Sequence, residues 1–144
     1  MTRLGLVAEL VGIDTNVILR YVLNDDEAQY AIADRLFDSL AAHRVGFITQ
    51  VTLVELYWVL ARSVKLPRAK CLAIIRALVE SEVLEFDDGE GVVRALALAE
   101  EGADFSDALI QGTMELFGTT ETVTFDRDAT RRLGWRLLGD EPPA

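Results

Sequence analysis

One cysteine, Cys71, and one histidine, His43, are all that 144 residues contain of either type. A single cysteine excludes an intrachain disulfide and the stapled scaffolds of small secreted domains, so the chain is expected to be reduced. Cys71 sits in an apolar helical run and reads as a small core residue. His43 falls at a helix end with no serine or cysteine motif beside it, which leaves Ser-His and Cys-His nucleophilic mechanisms without support. No apolar run reaches the roughly 18 residues needed to cross a bilayer, and residues 1–11 lack the features of a signal peptide. A cytoplasmic protein with no membrane contact is expected. There is no Gly-rich phosphate loop of the Walker or dinucleotide kind, so nucleotide-driven chemistry is not indicated. Positive charge is also scarce: 14 basic against 24 acidic residues give a net charge of -10, the wrong sign for a nonspecific nucleic-acid coat. Local basic groups remain at Arg62, Lys65, Arg68, Lys70 and Arg76, and again at Arg127, Arg131, Arg132 and Arg136. Such runs are usually solvated faces; of these residues Arg62, Lys65 and Arg68 are the candidates for phosphate contact.

What the chain does contain is alternation. Leu10, Val11 and Ile13 form the short apolar run of a strand covered on both faces, and a helical stripe resumes at Val17. A second helix is expected from the turn at Asn24–Glu27 to about Ala42, with a stripe of Ala28, Ile32, Leu36 and Leu40 and with Ala33 and Phe37 alongside. Val45–Ile48 reads as a second buried strand, and a third helix from about Val51 to Val64 is apolar around much of its circumference. Pro67 opens another helix, Val83–Phe86 is a weaker third strand, and two further helices stop at Gly102 and Gly118. Thr122–Phe125 is a fourth strand, followed by a short helix and an edge strand at about Trp135 to Leu138. Strands alternating with helices predict an α/β fold with a central parallel sheet of about four to five short strands flanked by about seven helices. Residues 1–144 are read as one domain, with a core at about 10–138, an N-terminal extension at 1–9 and a loose tail at 140–144.

Four carboxylates occupy comparable places. Asp14 follows the first strand, Glu55 lies in the first turns of the helix after the second, Asp107 begins the helix after Gly102, and Asp126 follows the fourth strand. In a parallel sheet like ends of strands share one edge, so acids distant in sequence are expected to converge there. Convergence is costly, since two unit charges about 6 Å apart repel by roughly 3 kcal/mol at an effective dielectric near 20. A cluster that stays ionised therefore calls for a cation, and oxygen-only ligands suit Mg²⁺ or Mn²⁺ rather than zinc. Each acid also has a plainer reading: Asp14 and Asp126 as helix caps, Glu55 in a capping box with Thr52, and Asp104 to Asp107 as a cap of the next helix. A phospho-acceptor signalling domain also uses strand-end acids, but it pairs two of them after the first strand and places a lysine after the last. Here Asp14 stands alone and no lysine follows Lys70.

Gly12-Ile13-Asp14-Thr15-Asn16-Val17, Val54-Glu55-Leu56 to Leu60, Ala103-Asp104-Phe105-Ser106-Asp107-Ala108-Leu109-Ile110 and Thr124-Phe125-Asp126-Arg127-Asp128 together resemble a PIN domain. More narrowly, with Arg20–Asp26 added, the chain resembles the VapC toxin half of bacterial toxin-antitoxin pairs. The resemblance implies a single PIN-like domain acting as a Mg²⁺- or Mn²⁺-dependent endoribonuclease on single-stranded RNA. Asp14 and Asp107 would be the principal metal ligands, with Glu55 and Asp126 completing or orienting the shell. Asp104 matches a frequent extra acid, Thr15, Asn16 and Thr124 match polar supports, and Asp128 lies in the same last motif. A homodimer and a cognate antitoxin protein are the implied partners, with exposed Tyr57 or Trp58 surface as their meeting place. The alternatives are a PIN-like interaction protein without catalysis, and a metal-dependent phosphatase or DNA nuclease.

Overall fold

The computed structural model describes residues 2–3, 6–7 and 9–139, so the tail expected at 140–144 lies outside the described residues. The chain divides into two compact units, Met1–Gly89 and Glu90–Ala144.

In the first unit β1 (Thr2–Arg3) and β2 (Leu6–Val7) form a short antiparallel pair within the expected N-terminal extension. The parallel strands follow: β3 (Glu9–Gly12), β4 (Arg44–Ile48) and β5 (Leu84–Phe86), in spatial order β3-β4-β5. The helices between them are α1 (Thr15–Leu23), α2 (Glu27–Asp38), α3 (Gln50–Trp58) and α4 (Arg68–Val79). A π-helical turn, Val59–Ser63, continues α3. Gly46 lets this sheet close up. An added Cβ there would stand 2.7 Å from Ile13 Cδ1 and 2.7 Å from Leu84 Cδ2, so side chains from both neighbouring segments cross over the central strand where it has none. Ile18, Ile48, Leu53, Leu56, Leu60 and Ile75 have no exposed surface. Burial of each contributes about 1.5–3 kcal/mol.

This unit departs from the expected pattern in places: β3 is not covered on both faces, since Leu10 is 49% exposed. Helix α2 stops at Asp38, and the predicted stripe is only partly inward: Ala33 and Leu40 are buried and Leu36 and Phe37 half-buried, whereas Ala28 is exposed and Ile32 is 60% exposed. The cause is aromatic. Tyr21 on α1 stacks on Phe37 with ring centroids 4.2 Å apart and on Tyr30 at 6.0 Å, which rotates the Tyr30-Ala33-Phe37 face toward α1. Helix α3 answers the question posed by its apolar circumference, since Leu53 and Leu56 go inward and Val51 and Trp58 outward.

The second unit contains α5 (Gly89–Glu100), α6 (Phe105–Leu116), β6 (Val123–Thr124), α7 (Arg127–Leu133) and β7 (Arg136–Leu137), with β6 and β7 parallel to each other. Its apolar centre is Val92, Ala95, Leu96, Phe105, Ala108 and Leu109. Gly102 ends the turn after α5 at φ +122°, a conformation that L side chains rarely adopt, and the Arg132 guanidinium packs against it within 2.8 Å of where a Cβ would sit. Among the described residues seven α-helices and a parallel α/β arrangement match the expectation; the parallel strands, expected in one central sheet, are grouped as three in one sheet and two in another.

Candidate functional site

Ile13 N donates to Phe47 O at 3.0 Å, which holds the exit of β3 on β4 and delivers Asp14 beyond the carboxyl end of the strand. Asp14 has the extended backbone of an N-cap (φ -82°, ψ 159°), but its side chain accepts no cap hydrogen bond from α1 and is exposed. The capping reading therefore fails for Asp14. Thr15 next to it is 3% exposed, and its Oγ1 donates to Glu55 Oε1 in a short hydrogen bond. A buried hydroxyl needs such a partner, and this one fixes a carboxylate that would otherwise swing freely on α3. The capping-box reading fails for Glu55 as well. Thr49 is the N-cap and accepts from Thr52 N at 3.1 Å, while Glu55 lies a turn further in.

The second unit gathers its own acids. Asp104 caps α6 by accepting from Asp107 N at 3.0 Å, and Asp126 caps α7, its Oδ1 accepting from Asp128 N at 2.8 Å and Ala129 N at 3.3 Å. The plainer reading holds for both of these, although Asp126 is exposed and its second carboxylate oxygen takes no part in the cap. Thr124 Oγ1 accepts from Asp126 N at 2.9 Å and so orients the cap residue. Asp107 differs. It is half-buried, its carboxylate accepts no hydrogen bond among the described residues, and burial first and then the charges of Asp104, Asp126 and Asp128 push its pKa up. Asp128 is held by Arg131 at 2.8 Å. Arg132 Nη1 donates to Glu101 O at 3.3 Å, tying α7 to the turn that precedes Asp104.

Among the described residues no three Asp, Glu, His or Cys form a ready-made ion-holding group. The donor chemistry nevertheless fits a hard divalent ion. Asp107 faces three other carboxylates, and a carboxyl group whose ionised form is disfavoured by like charges is stabilised by any cation that reaches it.

Of the remaining expected residues, Asn16 is exposed and lines a groove between α1 and α2 with Val17, Ile32 and Leu36. Arg62, Lys65 and Arg68 are exposed around the π-helical turn and the start of α4, with Lys65 at φ +62°. Asp87, directly after β5, is not among the site residues expected from the sequence. Its Oδ1 accepts from Gln50 N at 2.6 Å while Gln50 Nε2 donates to Asp87 O at 3.0 Å, so it clamps the start of the helix that carries Glu55. The sequence signal was an acid directly after a strand, the same signal that marked Asp14.

A model of the PIN domain matches residues 11–134, most of the chain and all four acidic motifs. The chain belongs to the PIN-domain family. Membership points to nuclease-type chemistry on phosphodiester bonds. No curated protein and no solved structure is significantly similar to the chain. No described helix is long and apolar enough to cross a membrane.

Proposed function

We propose that this PIN-domain protein is a Mg²⁺- or Mn²⁺-dependent endoribonuclease, the toxin of a toxin-antitoxin pair of the VapC type. The observation that carries the reading is the state of Asp14 and Asp107: neither carboxylate serves a cap, and the ionised form of Asp107 is opposed by burial and three neighbouring carboxylates. The residues that would hold the ion are Asp14 and Asp107, with Glu55 and Asp126 completing or orienting the shell. When bound, a hard cation supplies Lewis acidity and neutralises charge developing on the phosphodiester. Thr15 keeps Glu55 in one orientation, Asp87 fixes the start of α3, and Thr124 does the same for Asp126. Asp128, paired with Arg131, adds negative charge without being free to move. Arg62, Lys65 and Arg68 would follow the RNA backbone.

The partner part of the reading is a homodimer and an antitoxin. The groove between α1 and α2, lined by Val17, Ile32, Ala33 and Leu36, supports a docking role for an apolar segment, because it begins at Asn16, two residues from Asp14. A basic side chain of that segment would neutralise the carboxylates and compete with both cation and substrate. The test uses purified chain with structured RNA, unstructured RNA and DNA, with Mn²⁺ or with chelator, beside Asp14→Asn. RNA cleavage that needs Mn²⁺ and is lost in Asp14→Asn is expected. Cleavage indifferent to chelator or to the substitution refutes the metal role, and cleavage of DNA alone refutes the substrate. Co-expression with the protein encoded beside it should relieve growth arrest and yield a stable complex; if it does neither, the antitoxin part fails by itself.

A further inference from the structure

The outer face of α3 carries apolar surface that the fold does not use. Val51, Val54, Glu55 and Trp58 fall at i, i+3, i+4 and i+7, hence along one face of the helix, and together they line an open depression of about 510 Å³. Val51 is 78% exposed and Trp58 58%, while Leu53, Leu56 and Leu60 take the packing on the opposite side. Glu55 stands within this strip, its carboxylate held by Thr15, and the exposed Arg62 follows one turn beyond Trp58.

We propose that Trp58, flanked by Val51 and Val54, is a stacking platform for one unpaired nucleobase of the substrate, seated beside Glu55 with the adjoining phosphate toward Arg62. This rests on the ribonuclease reading above. Charge and size favour a base over other occupants. A phosphate on this strip would be repelled by Glu55, whereas a base brings an uncharged face to the indole and leaves its polar edge free for water or for the carboxylate. The protein contact expected at Tyr57 and Trp58 is the rival occupant, and an apolar segment laid over the strip would bury the Glu55 carboxylate unpaired, at a desolvation cost. Moreover, four residues on two turns of one helix give far less surface than the roughly 800 Å² per partner of a stable interface. Stacking is sequence-tolerant, because every base has a π-face, but it needs an unpaired strand.

The chain offers its own probe. It has two tryptophans, and Trp135 is 8% exposed with its Nε1 donating to Gln111, so a ligand stacking on the surface reaches Trp58 first. The full chain is titrated with an unstructured oligoribonucleotide in chelator, which separates binding from cleavage. Fluorescence of the unaltered chain should be quenched, and Trp58→Phe should abolish the quench while keeping most of the affinity. Trp58→Ala should weaken binding roughly 5- to 150-fold, the equivalent of one base stack. An abasic position in the oligonucleotide should cost the unaltered chain a similar factor and cost Trp58→Ala little more. Unchanged affinity of Trp58→Ala overturns the platform and leaves the ribonuclease reading standing. If the same variant instead shifts a dimer to monomer in sedimentation with RNA affinity intact, the strip is a contact between copies and the proposal is wrong. If the unaltered chain neither binds RNA in chelator nor cleaves it with Mn²⁺, the ribonuclease reading falls and the platform falls with it; if it cleaves with Mn²⁺ but binds none in chelator, the platform alone is wrong.

Discussion

Asp107→Asn removes one negative charge from a half-buried position facing Asp104, Asp126 and Asp128. Like-charge neighbours at partly exposed positions cost a few tenths of a kcal/mol each after solvent screening. Against this, an acid in the first turn of α6 gains about 0.3–1 kcal/mol from the helix dipole, part of which an asparagine amide retains. Burial first, then the charges of Asp104, Asp126 and Asp128, push the Asp107 pKa up. Without divalent cation the variant should therefore be more stable by about 0.5–1 kcal/mol, or about 1–4 °C in Tm for a chain of this size. With cation at about a hundred times its Kd, the unaltered chain should gain about 2.7 kcal/mol, and the variant much less. The order of the two melting curves should then reverse on adding Mg²⁺ or Mn²⁺. The pH dependence carries the same information. A folded pKa above the unfolded one means that the folded chain binds the proton more tightly between the two values, so stability of the cation-free chain falls as pH rises through that window. Asp107→Asn should flatten that fall. Equal loss of Tm in the variant with and without cation would show that Asp107 serves only α6, and would refute the reasoning.

Thr15→Val removes the hydroxyl that holds Glu55, and should lower kcat about 10- to 100-fold with KM little changed, while Thr15→Ser restores it; equal rates for all three would remove Thr15 from the mechanism. Because Asp14 makes no cap bond, Asp14→Ala should change stability by less than about 0.5 kcal/mol, whereas Asp126→Ala should cost about 1 kcal/mol through loss of the α7 cap; denaturant titration separates the two, and the opposite order would reverse their roles. Lys65→Ala and Arg68→Ala should each weaken binding across RNA sequences and flatten the slope of log K against log salt by about 0.7, and an unchanged slope would return both to the solvated surface.

Where the chain alternates short apolar runs with helical stripes, the fold was legible, because those runs have to be buried whatever lies around them. Ile13, Val45, Ile48 and Leu84 are buried where the pattern put them, while Leu10 and Val123, at the outer strands, stay about half exposed. Legibility was partial at α2, where Ala28 and Ile32 complete a sound helical face in isolation yet stay exposed while Ala33 beside them is buried. Only the stack of Tyr21 on Phe37 and Tyr30 decides that another face wins. That preference is a property of a neighbouring helix, and no window of the α2 sequence contains it. The extra width of the turn at Val59–Ser63 was likewise invisible, because a π turn differs from an α turn in hydrogen-bond register and not in residue type.

The acids show what separates a functional carboxylate from a structural one when both occupy the start of a helix. Sequence position gave Asp14, Glu55, Asp107 and Asp126 comparable places, with Asp104 as a further acid beside them, and cap propensity could not rank them. Hydrogen bonding does. Asp104 and Asp126 spend an oxygen on backbone N–H groups, and each is held by that cap, Asp126 with further help from Thr124. Asp14 and Asp107 spend none, so no cap accounts for a charge at either place. Glu55 joins this second class because its partner is the side chain of Thr15 and not a helix end. A carboxylate that caps is compatible with a ligand role through its second oxygen, but its presence is already explained. One that does not cap, and sits half-buried among like charges as Asp107 does, keeps both oxygens open, and its ionised form would be stabilised by a cation brought to it.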